Sequence, residues 1–269
     1  MRAAALAPLL LCAPLCRAVL PVFGGVATRR VDAGGGLPWV YEADYEATQK
    51  LTEQQQQQQA EESYVQQQQQ LVQPHDPLAS SYWPAARPLA ALIAESGWAK
   101  GQRVLELGAG TGLCSLTAAS SGAASVLATD VSELALQLLS SAAAEQGLAV
   151  RTARLDALDA SSQPLPPADL LVLSDLFVTE ELARGHARRC AEALASGYSR
   201  VLVVDPGRST REGFLRELEA LGLAHEHEGF AALDACLEAG AGAAAGSAAA
   251  ARRLLLLDTA EGQPVDYAI

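Results

Sequence analysis

The sequence predicts an α/β domain built on a mostly parallel sheet with helices on both faces. From residue 103 onward, short β-branched and leucine-rich runs alternate with longer segments of helical spacing. Two of the runs, Leu170-Leu171-Val172-Leu173 and Val201-Leu202-Val203-Val204, are apolar without interruption, as strands covered on both faces must be. A glycine-rich turn follows the first strand of the series and opens a helix, an arrangement that places a ligand at the carboxyl edge of an open sheet.

Taken in order, residues 1–31 carry Arg2, Arg17, Arg29 and Arg30 and no acid, as a targeting presequence would. A mitochondrial destination is the leading expectation, with plastid, secretory and cytoplasmic readings as alternatives. The apolar run Ala3–Leu15 is too short to span a bilayer, so no membrane partner is expected. Residues 32–75 form a lead-in with two glutamine tracts, Gln54–Gln59 and Gln66–Gln70. Such sequence cannot bury enough apolar surface to offset its ordering entropy, so disorder or a solvated helix is expected, with little contribution to the core. The domain proper is read over residues 76–269, interrupted by a flexible Ala/Gly-rich loop at 239–251.

Within it, strands are predicted at Arg103–Leu107, Ser125–Thr129, Ala149–Leu155, Asp169–Ser174, Arg200–Val204 and Arg252–Asp258, with a short one near Ala224–Glu228. Helices are predicted at Leu113–Ser121, Ser132–Gln146, Glu180–Ala195 and Thr210–Leu221. Ser132 and Thr210 suit N-caps, and Gly122, Gly147, Gly197 and Gly222 stand where helices stop.

Composition excludes several classes. A net charge of −12 disfavours nucleic acid and favours a basic partner, such as a lysine-bearing protein segment. Cys12, Cys16, Cys114, Cys190 and Cys236 are too scattered for a disulfide framework, and no CxxC pair suggests zinc. His225 and His227 share one face of a strand but lack an evident third ligand, so no metal is assigned. Cys114 at a helix start could have a lowered thiol pKa or pack as a small hydrophobe.

The sharpest motif is Glu106-Leu107-Gly108-Ala109-Gly110-Thr111-Gly112, between strand and helix. Its spacing is G-x-G-x-G, with Leu113 where a dinucleotide fingerprint would have its third glycine. Glu106 would oppose a pyrophosphate and would suit a cationic sulfonium amino acid. Asp130, ending the second strand, can take both ribose hydroxyls, or it can cap the helix that follows. These features favour S-adenosylmethionine over a nicotinamide dinucleotide.

With these residues the sequence resembles the class I methyltransferases, which implies a Rossmann-like, seven-stranded, mostly parallel fold with a final antiparallel strand. Tyr82-Trp83-Pro84 and Ser174-Asp175-Leu176-Phe177 resemble the entry segment and post-strand acidic motif of the family 16 protein-lysine methyltransferases. Asp205-Pro206-Gly207-Arg208 is similar to the branch that acts on the electron transfer flavoprotein β subunit.

The resemblance implies S-adenosylmethionine as cofactor, with Trp83, Glu106, Gly108, Gly110, Gly112, Asp130, Asp156, Ala157 and Ser174 around it. Asp156-Ala157 stands where relatives carry an Asp-Trp pair flanking the adenine, so the aromatic is missing here. Asp175 is the implied catalytic residue, a positioning acceptor for the incoming lysine, although it could instead be a strand-end cap. Val178 stands where relatives close the motif with tyrosine. The implied activity is protein-lysine N-methylation. The alternatives are methylation of a small-molecule amine and a non-catalytic interaction protein of the same fold.

Overall fold

The computed structural model describes residues 26–62, 78–223, 226–229 and 253–258. The expectations for residues 1–25, Gln66–Gln70, His225 and Ala239–Ala251 lie outside the described residues. The described chain opens with an antiparallel hairpin of β1 (Thr28–Asp32) and β2 (Trp39–Ala43), followed by α1 (Tyr45–Glu62) and α2 (Ala86–Ser96). There follow β3 (Arg103–Leu107), α3 (Leu113–Ser120), β4 (Ser125–Asp130), α4 (Glu133–Glu145), β5 (Val150–Arg154) and β6 (Leu170–Ser174). The series ends with α5 (Glu180–Ala195), β7 (Arg200–Asp205), α6 (Arg211–Ala220), β8 (Glu226–Gly229) and β9 (Arg253–Asp258).

Strands β3 to β9 form one sheet in the order β5-β4-β3-β6-β7-β9-β8, and every pairing in it is parallel. The order grows outward from β3 on one side and restarts at β6 on the other. A crevice therefore opens at the carboxyl ends of β3 and β6, the switch point where open α/β sheets bind ligands. The resemblance implied an antiparallel last strand, and here the structure differs: β9 runs parallel to both β7 and β8. Residues 230–252 separate β8 from β9, a span long enough for the crossover that a parallel pair requires.

The uninterrupted apolar runs are explained by burial on both faces. Leu170 and Val172 of β6 enter the core shared with α2, α3 and α4, whereas Leu171 and Leu173 enter the core shared with α5 and α6. Val104 of β3 joins the first core, and Leu105 and Leu107 join the second, by the same two-residue alternation.

The helix punctuation follows the sequence closely. Ser132 accepts a hydrogen bond from Ala135 N at 3.3 Å as N-cap of α4, and Gly122, Gly147, Gly197 and Gly222 all take positive φ just past helix ends. Thr210 does not cap α6 with its side chain, because its hydroxyl donates to the carbonyl oxygen of Phe177. Thr179 caps α5 instead, accepting from Leu182 N at 3.2 Å with Glu180 and Glu181 in the first turn.

The lead-in contributes more core than its composition suggests. Gln54–Gln59 falls inside α1, yet the residues before that helix pack as structure. Val40 and Tyr41 of β2 are buried in the core that contains Leu134 and Leu138 of α4. The Tyr41 hydroxyl donates to Glu145 Oε1 at 2.9 Å, and Gln146 Nε2 donates to Trp39 O at 2.9 Å while its Oε1 accepts from Trp39 N at 3.2 Å. Trp39-Val40-Tyr41 is a β-forming run whose signal the surrounding glutamine-rich composition dilutes. Tyr41→Ala should therefore lower the stability of the whole domain by about 3–5 kcal/mol, the range for deleting a buried aromatic. Chemical denaturation checks this, and an unchanged midpoint would mean that the hairpin is an independent appendage.

Candidate cofactor and active site

At the end of β3 the chain enters the glycine turn and leaves it as α3. Gly110 has φ +52°, and a Cβ there would lie 3.1 Å from the backbone oxygen of Ala79, so the turn admits no side chain without a backbone shift. Its amide donates to Asp130 Oδ2 at 2.9 Å, and Ser132 N donates to Asp130 Oδ1 at 2.8 Å. Asp130 is thus not the N-cap of α4, a role that Ser132 fills. Its carboxylate ties together the turns after β3 and β4. A carboxylate offers about four acceptor positions, enough for two backbone donors and a ribose diol.

Glu106 is 2% exposed and lines the same cavity. Its Oε2 accepts from Ser115 N at 2.9 Å and from the Ser115 hydroxyl. Burial pushes its pKa up to about 7, opposed by the Ser115 hydrogen bonds and reinforced by the nearby Asp130 charge. Such a carboxylate is stabilised by a cation delivered into the cavity.

The opposite wall is built at the carboxyl ends of β6 and β7. Asp175 has φ +62°, the one positive value outside glycine among the described residues, and its amide donates to Val204 O at 2.9 Å. Its Oδ1 accepts from Arg208 Nη1, while Asp175 Oδ2 and Ser174 Oγ are buried with no hydrogen-bond partner among the described residues. Burial raises the Asp175 pKa, and the Arg208 guanidinium opposes the rise. Arg208 also lies 3.6 Å from Asp205 Oδ2 and 5.8 Å from the centre of the Trp83 ring, whose Nε1 donates to Leu78 O at 2.7 Å. Arg208, which the sequence alone leaves open between a structural role and contact with substrate, is thus the ion-pair partner of the acidic motif.

Nine of the candidate residues, Trp83, Glu106, Gly108, Gly110, Asp130, Asp156, Ala157, Ser174 and Asp175, line this one cavity. Gly112 is not among the lining residues. A Cβ there would meet Leu139 Cδ1 at 2.2 Å, so this glycine serves the close packing of the α3 start against α4. Cys114 is buried, and burial raises its thiol pKa well above the usual range, so of the two readings it follows the packing one. Two contributors on α5 escaped sequence reasoning. His186 lines the cavity, and fully buried Arg189 donates to the backbone oxygens of Asp156, Ala157 and Gln163 at 3.0, 2.8 and 2.9 Å. A charged residue on the face that also carries Ala183, His186 and Cys190 is the signal that could have found Arg189.

S-adenosylmethionine fits these residues. Asp130 would hold the ribose, the bare backbone of Gly108 and Gly110 would admit close approach, and Glu106 would meet the cationic methionyl portion. Because a cation binds the ionised form of Glu106, affinity should fall as pH drops through about 7, and binding near neutrality should release protons. Calorimetry in buffers of different ionisation enthalpy reads the proton count, and Glu106→Gln should abolish both the release and the pH slope.

Residues 104–197 match a methyltransferase domain. The chain is 30% identical over 147 residues to the electron transfer flavoprotein β subunit lysine methyltransferase of Homo sapiens, a match covering 52% of this chain and 53% of that protein. It is 31% identical over 138 residues to the protein of the same name from Danio rerio, covering 51% and 53% respectively. The chain thus spans about half the length of these relatives. Among solved structures, the cyclase SpnF is similar with 22% identity and a TM-score of 0.39, over 54% of this chain and 59% of that one. The domain match and the seven-stranded sheet with its acid-flanked glycine turn lead to one reading: residues 104–197 are a methyltransferase domain, and the cofactor indicated is S-adenosylmethionine.

Proposed function

We propose that the protein is an S-adenosylmethionine-dependent protein-lysine N-methyltransferase and that its substrate is the electron transfer flavoprotein β subunit. One observation carries the reading. Asp175 Oδ2 and Ser174 Oγ, buried and unpartnered among the described residues, share a cavity with the glycine turn and Glu106. An amine entering there supplies the donors that these acceptors lack. The net charge of −12 favours a lysine-bearing partner, and the names of the relatives support the choice of substrate. We assign the activity to the mitochondrion, in keeping with the composition of residues 1–31.

The bound cofactor supplies an electrophilic sulfonium methyl. What the chain must do is hold a neutral amine in line with that methyl, at roughly 3–3.5 Å. A free lysine is mostly ammonium at neutral pH, with a pKa of about 10.4. A lone carboxylate would keep it so. The Arg208 guanidinium on Asp175 offsets that charge, and burial at the β6 end favours the neutral amine. Asp175 therefore acts as a hydrogen-bond acceptor that orients the nitrogen lone pair, with Ser174 beside it. Val178, 42% exposed, leaves the rim open where the family's tyrosine would stand.

Asp175→Asn keeps the shape and removes the charge. Cofactor affinity should survive, while single-turnover transfer to the flavoprotein subunit at saturating cofactor should fall roughly tenfold to a thousandfold. Mass spectrometry of the product locates the methylated lysine. Wild-type rates in the variant would reduce Asp175 to an anchor for Arg208. Transfer to small amines but to no protein would move the substrate class to small molecules.

A further inference from the structure

One buried polar group in the cavity is used by neither the glycine turn nor the amine end. His186, in the second turn of α5, is 3% exposed and lines the cavity beside Leu155, Asp156, Ala157 and Leu182. Its Nδ1 lies 2.7 Å from Leu182 O. A carbonyl oxygen can only accept, so Nδ1 carries the proton and Nε2 keeps its lone pair. Burial, with the Arg189 guanidinium acting in the same direction, pushes the pKa down to about 4 and keeps the ring neutral. No group among the described residues donates to Nε2. The ring thus offers the cavity an open acceptor that a donor on a ligand can fill.

The sheet order says which part of the cofactor comes near. Glu106 at the end of β3 and Ser174 at the end of β6 mark the methionyl end, and Asp130 at the end of β4 marks the ribose. With the ribose at Asp130, the base would extend past β4 toward the residues after β5, where Leu155, Asp156 and Ala157 line the cavity. Arg189 fixes this loop to α5 by donating to the backbone oxygens of Asp156 and Ala157, one turn beyond His186 on the same helix. Ala157 contributes only a methyl group to that end of the cavity.

Resting on the cofactor assignment above, we propose that His186 Nε2 accepts a hydrogen bond from the exocyclic 6-amino group of the adenine, so that α5 reads the base in place of an aromatic from the loop. His186 is then a specificity residue for the nucleoside, and purines without the amine leave its lone pair unfilled.

Calorimetric binding of S-adenosylhomocysteine and of its 6-deamino purine analogue tests this without any methyl acceptor. The wild-type protein should prefer the adenine ligand by about fivefold to tenfold, the value of one buried hydrogen bond. His186→Phe should lose that preference by weakening the adenine ligand and leaving the analogue unchanged, and His186→Gln, which restores an acceptor, should recover part of it. A wild-type preference below about twofold overturns the proposal whether or not the variants fold, being less than such a bond supplies. A preference of wild-type size in His186→Phe overturns it as well, leaving the imidazole as packing beside Phe177. If neither ligand binds the wild-type protein, the cofactor reading fails and this assignment with it, whereas binding without discrimination removes the role of His186 alone.

Discussion

The site depends on a carboxylate shared by two turns. Asp130 receives one amide from the glycine turn after β3 and another from the start of the segment leading into α4. Neighbouring contacts repeat the link: Ala109 N donates to Thr129 O at 2.9 Å, and the Thr129 hydroxyl donates to Glu106 O at 2.7 Å. Buried backbone donors need partners, and here one acid satisfies two of them while staying on the cavity wall. The same acid thereby positions the turn that a ligand must approach and presents itself to that ligand.

Around this link the cavity concentrates charge that would be costly elsewhere. Glu106, Asp130, Asp175 and Asp205 are all buried at the carboxyl edge of the sheet. Asp205 is neutralised by Arg211 at 3.0 Å, and Asp175 by Arg208, while Glu106 has hydrogen bonds from Ser115 and Cys114 and no cationic side chain against it among the described residues. A buried charge persists where it is paired or where its pKa moves. The paired acids form a scaffold around the carboxyl ends of β6 and β7. The unpaired Glu106 is the one whose pKa rises toward neutrality, which couples it to a cationic ligand.

Arg189 acts on the other side of the cavity by a different route. Its guanidinium is spent on backbone oxygens of the segment after β5 and on Glu192 Oε2 at 2.8 Å, so an irregular loop is tied to a helix by hydrogen bonds in addition to the packing of Leu155 and Leu165. Planar, multiply donating geometry suits Arg to this task in a way that Lys would not match. The N-terminal hairpin plays a comparable part beyond the sheet, fastening to the end of α4 through Tyr41 and Trp39.

The sequence by itself determined the alternation of strands and helices, the parallel sheet and the acid-flanked glycine turn, because burial period and backbone freedom are local properties. Arg103–Leu107 and Glu180–Ala195 needed no correction, and Ser132 capped where its side chain allowed. Only the tertiary structure decided that Gly112 packs on Leu139, that Arg208 pairs with Asp175, that the hairpin joins the core and that β9 runs parallel to its neighbours. Partners such as Asp175 and Arg208 are distant in sequence, and the pairing exists only because β6 and β7 lie side by side with their ends in register. A residue pattern fixes which face is buried. Which side chain meets which across that face depends on strand order, and strand order is a property of the assembled sheet.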